Sequence, residues 1–254
     1  MSLAARQAQL EGRWALVTGA AKRIGAVIAR GLHEAGANVA IHYFSSAEPA
    51  DALASELNGI RAGSALTVSA DLRDVRTIKP MAERVLARTG RLDALINNAS
   101  SFYPTPLATV TNEQWHDLID SNLKAPLFLS QAFLEPLRAA QGCIVNIVDV
   151  HATRPLRDHP VYGAAKAGLA MLTRSLAKDL GPAIRVNGVS PGAILWPEDD
   201  GMSETLREAI IKQTALKRSG EPEDIAAAVL FLVRDAPYVT GHIIAVDGGR
   251  SVGW

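Results

Sequence analysis

The chain has 254 residues, 48% hydrophobic and 20% charged, the balance of a folded globular protein and not of a disordered one. Its 26 basic and 26 acidic residues cancel, and no basic stripe stands out, which argues against nucleic acid as a partner. A lone cysteine, Cys143, excludes an internal disulfide and reads as a small buried hydrophobe in an apolar run.

In chain order, short β-branched runs at residues 14–18, 38–42, 65–69, 94–97, 143–148, 185–189 and 243–246 read as strands. Between them, periodic segments at 24–35, 50–57, 75–87, 122–137, 161–180 and 222–233 read as helices. The last opens on Pro-Glu-Asp, which suits a helix's first turn. Strand–helix alternation predicts an α/β fold: one doubly wound, Rossmann-type domain over 1–254, about seven parallel strands with helices on both faces. The opening stretch has no apolar core of signal-peptide length, and the longest apolar run, 226–233, is far too short for a bilayer. The default expectation is a cytoplasmic protein with no membrane partner. Residues 195–217 interrupt the rhythm after a strand's C-terminal end, where open α/β sheets bind ligands; a substrate lid is expected there, with a plain surface excursion as the alternative.

Three stretches carry chemistry. In "TGAAKRIG" (18–25), a strand runs through a glycine turn into a helix, so backbone N–H groups at the helix start can meet a pyrophosphate. Gly19 ends the strand tightly, Gly25 lets loop and helix pack, and Lys22 and Arg23 supply charge. Arg23 can reach phosphate or substrate; otherwise it is a solvated residue at a helix start. In "IHYFSS" (41–46), no acid stands at the strand end to bind a ribose 2′-hydroxyl, and His42 and the hydroxyls can donate to a 2′-phosphate, which favours NADPH over NADH. In the third stretch, Tyr162 and Lys166 stand one helical turn apart on one face. There Lys166 is expected to lower the phenol's pKa, and Tyr162 to relay a proton as hydride arrives. Asp149, thirteen residues earlier, can grip paired N–H donors of a heterocycle, or else caps a turn. Phe102 is expected to stack on a flat substrate, or else to fill the core. His151 and His159 make no metal-ligand spacing, so no metal is expected, and Arg154, Arg157 and His159 read as a solvated loop.

Together with "ADL" at 70–72, "NNAS" at 97–100, Asn122, "VNGVSPG" at 186–192 and "VDGG" at 246–249, these motifs resemble the short-chain dehydrogenase/reductase family over nearly the whole chain. More narrowly, "TGAAKRIG", "IHYFSSA", "NNASSFYPTPL" and "VNIVD" resemble the pteridine reductases, which reduce pterins and in some members folates with NADPH. In that subfamily aspartate replaces the usual serine, so Asp149 marks a rebuilt site. The resemblance implies catalytic roles for Asp149, Tyr162, Lys166 and Asn122. It implies NADPH contacts from Gly19, Lys22, Arg23, Ile24, His42, Tyr43, Ser45, Ser46, Asp71, Leu72, Asn98, Ala99, Ser100, Lys166, Pro191, Gly192 and Ile194. Substrate contacts follow for Arg23, Ser100, Phe102, Asp149, Tyr162 and Trp196. It also implies a homotetramer assembled through helices near 122–137 and 161–180 and the C-terminal strand region. The expected reaction takes a dihydropterin, or dihydrofolate, to its tetrahydro form. Two alternatives stay open: another short-chain reductase acting on a carbonyl such as a 3-oxoacyl thioester, and a non-catalytic nucleotide-binding sensor.

Overall fold

Seven strands align in parallel in the order β3-β2-β1-β4-β5-β6-β7 in the computed structural model, which describes residues 10–194 and 203–252. They are β1 (Trp14–Val17), β2 (Asn38–Tyr43), β3 (Ala65–Ser69), β4 (Ala94–Asn97), β5 (Cys143–Ile147), β6 (Arg185–Pro191) and β7 (Ile243–Val246). The chain winds outward from β1 to β3, then returns to lay β4 on the other side of β1. That reversal opens a crevice beyond the C-terminal ends of β1 and β4, the place where doubly wound sheets take ligands. β4 and β5 are buried at every position, as strands covered on both faces must be.

Among the described residues the α-helices are α1 (Arg23–Glu34), α2 (Ala47–Ile60), α3 (Val75–Thr89), α4 (Asn112–Ile119), α5 (Ala125–Ala132), α6 (Leu134–Ala139), α7 (Pro160–Leu180), α8 (Glu204–Lys212) and α9 (Pro222–Leu230). On one face of the sheet, Ile28 and Leu32 of α1 and Ile225 and Val229 of α9 pack with Val17, Ile41 and Val145. On the other, Ile78, Met81 and Val85 of α3 and Leu129 of α5 pack with Leu16, Leu95 and Ile144. Burying a side chain of this kind contributes about 1.5–3 kcal/mol. Helix α7 turns Val161, Tyr162, Ala165, Lys166, Leu169 and Thr173 inward, a helical spacing that puts the tyrosine and lysine on its buried face.

Two expected helices differ: at 222–233 the α-helix ends at Leu230 and a π-helical turn covers Phe231–Asp235, and the helix expected at 122–137 is interrupted. Residues 122–137 are not continuous: α4 begins earlier, a π-helical turn follows at Asp120–Lys124, and the ladder breaks again at Phe133. The start of α4 is a capping box in which the Thr111 hydroxyl accepts from Gln114 N–H and the Gln114 side chain accepts from Thr111 N–H, a Thr-x-x-Gln signature present in the sequence. Pro136 cannot donate back to Ala132, which is where α5 gives way to α6. Among the described residues, no helix is long and apolar enough to cross a membrane.

Candidate active site

The turn after β1 is shaped for close approach. Gly19 has φ +61, and a side chain on Gly25 would meet Gly19 O at 2.4 Å and Asn98 Nδ2 at 2.6 Å. Asn98 Nδ2 donates to Thr18 O at 2.9 Å and Gly19 O at 3.1 Å, and the Thr18 hydroxyl accepts from the N–H groups of Asn98 and Ala99. The β4 turn therefore clamps the glycine turn. Arg23 holds φ +55, the left-handed region that costs a side-chain-bearing residue about 1–2 kcal/mol, so its placement at the first turn of α1 is enforced by its surroundings.

A cleft of about 450 Å³ lies against this turn. It takes in Gly19, Lys22, Arg23 and Ile24, then His42, Tyr43, Ser45 and Ser46 at the end of β2, Asp71 and Leu72 after β3, and Asn98, Ala99 and Ser100 after β4. Pro191, Gly192 and Ile194 are not among the residues that line it. Gly192 N–H is tied to Val246 O at 3.0 Å, and Ile194 lines a separate cavity of about 390 Å³ with Leu216, Arg218 and Asp247. Trp196 and the first part of the expected lid lie outside the described residues; of the remainder, α8 is helical and Leu216 N–H donates to Gly248 O at 3.0 Å.

The reading of His42 as a phosphate donor needs correction. Its ring lies buried under the cleft with both nitrogens engaged: Nδ1 accepts from Gly19 N–H at 3.1 Å, and Nε2 bonds Ala70 O at 3.1 Å. Because Nδ1 must accept, the ring is neutral, and burial pushes its pKa down to about 4. His42 ties together the turns after β1 and β3.

The catalytic candidates converge where β5 meets α7. The Tyr162 hydroxyl donates to Asp149 Oδ2 at 2.8 Å, while Asp149 Oδ1 accepts from His151 N–H at 2.8 Å, which fixes the carboxylate's rotamer. Lys166 is fully buried and donates from Nζ to Ile147 O at 2.9 Å. Burial pushes this ammonium down to about 8, although Asp149 opposes the shift. The expectation that Lys166 lowers the phenol does not survive. Burial first and the Asp149 charge second raise Tyr162 well above its ordinary value, opposed only by a hydrogen bond involving Ser100. Nζ stands 5.7 Å from the ring centroid, too far to outweigh them. Tyr162 is thereby kept protonated, as an acid must be before it gives its proton away.

Asn122 sits in the π-helical turn between α4 and α5, buried, with its side chain committed to protein. Its Nδ2 donates to Ser101 O at 2.9 Å and Leu118 O at 3.0 Å, and its Oδ1 accepts from the Ser100 hydroxyl at 2.7 Å. Its side chain thus positions the Ser100–Ser101 turn. Phe102 is 47% exposed, so it is not core. Its ring stacks on His159 at 4.8 Å with planes 18° apart and meets Tyr162 edge-on at 4.8 Å. His159 therefore belongs to the aromatic wall and not to a solvated loop, whereas Arg157 is solvated and Arg154 donates to Ser251 O. Phe44 and Arg73, which also line the cleft, escaped the sequence reading; the signal was the cation directly after "ADL".

A family model described as enoyl-(acyl carrier protein) reductase matches residues 19–251. Pteridine reductase 1 of Leishmania tarentolae is 39% identical over 94% of this chain and 96% of its own length. The chain belongs to the short-chain dehydrogenase/reductase family. It is an oxidoreductase of that family, with the Tyr-x-x-x-Lys pair on α7 and the glycine turn after β1 in place. A second member, the 3-oxoacyl-(acyl carrier protein) reductase of Staphylococcus aureus strain Mu50, is 37% identical over 92% of this chain and 96% of its own. A solved family structure, a blue fluorescent protein from a metagenomic library in complex with NADPH, superposes with a TM-score of 0.89 at 34% identity, covering 95% of this chain and 99% of that one.

Proposed function

We propose that this short-chain reductase is an NADPH-dependent pteridine reductase that takes a dihydropterin, or dihydrofolate, to its tetrahydro form. The observation that carries the reading is the Tyr162–Asp149 hydrogen bond, a carboxylate held against the acid. A serine hydroxyl there would stabilise a developing alkoxide; a carboxylate would not, but it accepts the amino and ring N–H groups that a pterin presents. The 39% identity to a pteridine reductase supports it; the 37% identity to a 3-oxoacyl reductase favours the carbonyl alternative.

The fit to a dinucleotide rests on the glycine turn, where Gly19 and Gly25 let strand, turn and helix pack closely, and on the cleft beside it. Lys22, Arg23, Ser45 and Ser46 would hold its phosphates, and Asp71 and Leu72 its adenine. NADPH bound there supplies the hydride for an imine carbon of the pterin. Tyr162 delivers its hydroxyl proton to the imine nitrogen, which closes the balance of one hydride and one proton. Asp149 orients Tyr162 and accepts from the pterin; Phe102 offers its exposed ring to the heterocycle. A homotetramer is part of the reading, supported by exposed Leu127 on α5 and Met171 on α7; mass by light scattering tests it.

The test is NADPH oxidation with dihydrobiopterin, dihydromonapterin, dihydrofolate and a 3-oxoacyl thioester side by side. Turnover of a pterin or folate but not the thioester is the expected result. Turnover of the thioester alone removes the pteridine reading. NADPH binding without turnover of any of them leaves the sensor alternative.

A further inference from the structure

The turn after β2 reads Phe44-Ser45-Ser46 and carries no cation of its own for a 2′-phosphate. The topology brings one from elsewhere. Because β3 pairs with β2 in register, Tyr43 opposite Ser69, the turn after β3 rises beside the turn after β2. Arg73 leaves that turn and lays its guanidinium 5.0 Å from the centroid of the Phe44 ring, at the rim of the cofactor cleft.

Arg73 is held there by two carboxylates. Its Nε donates to Asp71 Oδ1 at 2.9 Å, Nη2 to Asp71 Oδ2 at 2.8 Å, and Nη1 to Asp117 Oδ1 at 2.7 Å. Asp117 is itself steadied by the Tyr103 hydroxyl, which donates to Oδ2 at 3.0 Å. These bonds use three of the five guanidinium N–H groups, and Cζ stands over the Phe44 ring. The side chain remains 40% exposed and lines the cleft, with two guanidinium N–H groups left over from these bonds. A planar cation fixed at the cleft rim with spare donors is the group that takes a phosphate and can stack on a flat base.

We propose that Arg73 is the residue that selects NADPH over NADH, by donating to the ribose 2′-phosphate and walling the adenine. Asp71 and Asp117 hold the guanidinium in place for that contact. This rests on the NADPH reading above.

Dissociation constants of NADPH and NADH, read from nicotinamide fluorescence, test it in the wild type, Arg73→Ala and Arg73→Lys. Loss of a charge-assisted contact is expected to weaken NADPH binding by roughly tenfold in Arg73→Ala while NADH stays within about twofold. Arg73→Lys keeps a cation but not the plane, and is expected to fall between the other two for NADPH alone. If Arg73→Ala does not fold, the lysine variant carries the test by the same NADPH-to-NADH split. Equal weakening of both cofactors, or no weakening of either, overturns the proposal and leaves Arg73 a structural latch. A wild type that binds NADH as tightly as NADPH overturns the NADPH reading itself, a different outcome from a wild type that prefers NADPH and an alanine variant that keeps the preference.

Discussion

The Tyr162 hydroxyl and the Asp149 carboxylate meet at 2.8 Å, thirteen residues apart in the chain, because β5 delivers one and α7 the other to the same point. Replacing either partner has a separable consequence. Tyr162→Phe removes the proton donor and is expected to lower kcat by roughly a hundred- to ten-thousand-fold with NADPH affinity nearly unchanged. Asp149→Ser keeps the donor and removes the heterocycle grip, so pterin turnover is lost while weak carbonyl reduction appears. Steady-state kinetics with both substrate classes decide it; unchanged pterin kinetics in Asp149→Ser would make the carboxylate incidental.

Phe102 presents a half-exposed ring braced by His159 and Tyr162. Phe102→Ala is expected to raise the pterin KM by about fivefold, the equivalent of about 1 kcal/mol of stacking, with a smaller effect on kcat. A KM equal to the wild type's would remove the ring from the substrate site.

Burial disfavours the charge of Lys166 and lowers its pKa to about 8. A lowered lysine pKa means the cation is present below about 8 and is lost above it, well short of the ordinary 10.5. The family resemblance implies that Lys166 contacts NADPH; if it does so as a cation, binding should weaken as pH rises through about 8. Titrations from pH 6.5 to 9.5 check this, with binding flat across the range as the contrary result.

His42 gives the fold an acid-sensitive joint. Its pKa is lowered from 6.5 to about 4, so the unfolded chain takes up the proton first. Its contribution is complete above the unfolded value of 6.5 and is lost as pH falls toward about 4. The full shift corresponds to about 3 kcal/mol. Denaturant midpoints at pH 7 and pH 4.5 should differ more in the wild type than in His42→Asn, whose amide oxygen can still accept from Gly19 N–H without titrating. Identical pH dependence in the two proteins would falsify this assignment.

The alternation of β-branched runs with periodic helices, the glycine turn and the Tyr162–Lys166 spacing were legible in the sequence. Each depends on residues within a few positions of one another, where backbone sterics and helical period dominate. The capping box at Thr111 was equally local and readable, and it marks the helix that was not predicted. The tertiary structure alone decided what each side chain faces. It buried the His42 ring between two turns, so a supposed phosphate donor became a strut. It spent the Asn122 side chain on Ser100 and Ser101, stacked His159 on Phe102, and raised the Tyr162 phenol by burial and by Asp149 where a nearby lysine alone would lower it. It also brought Arg73 from after β3 to Phe44 after β2. Burial and charge depend on neighbours distant in the chain, and strand order, not spacing along the sequence, sets who those neighbours are.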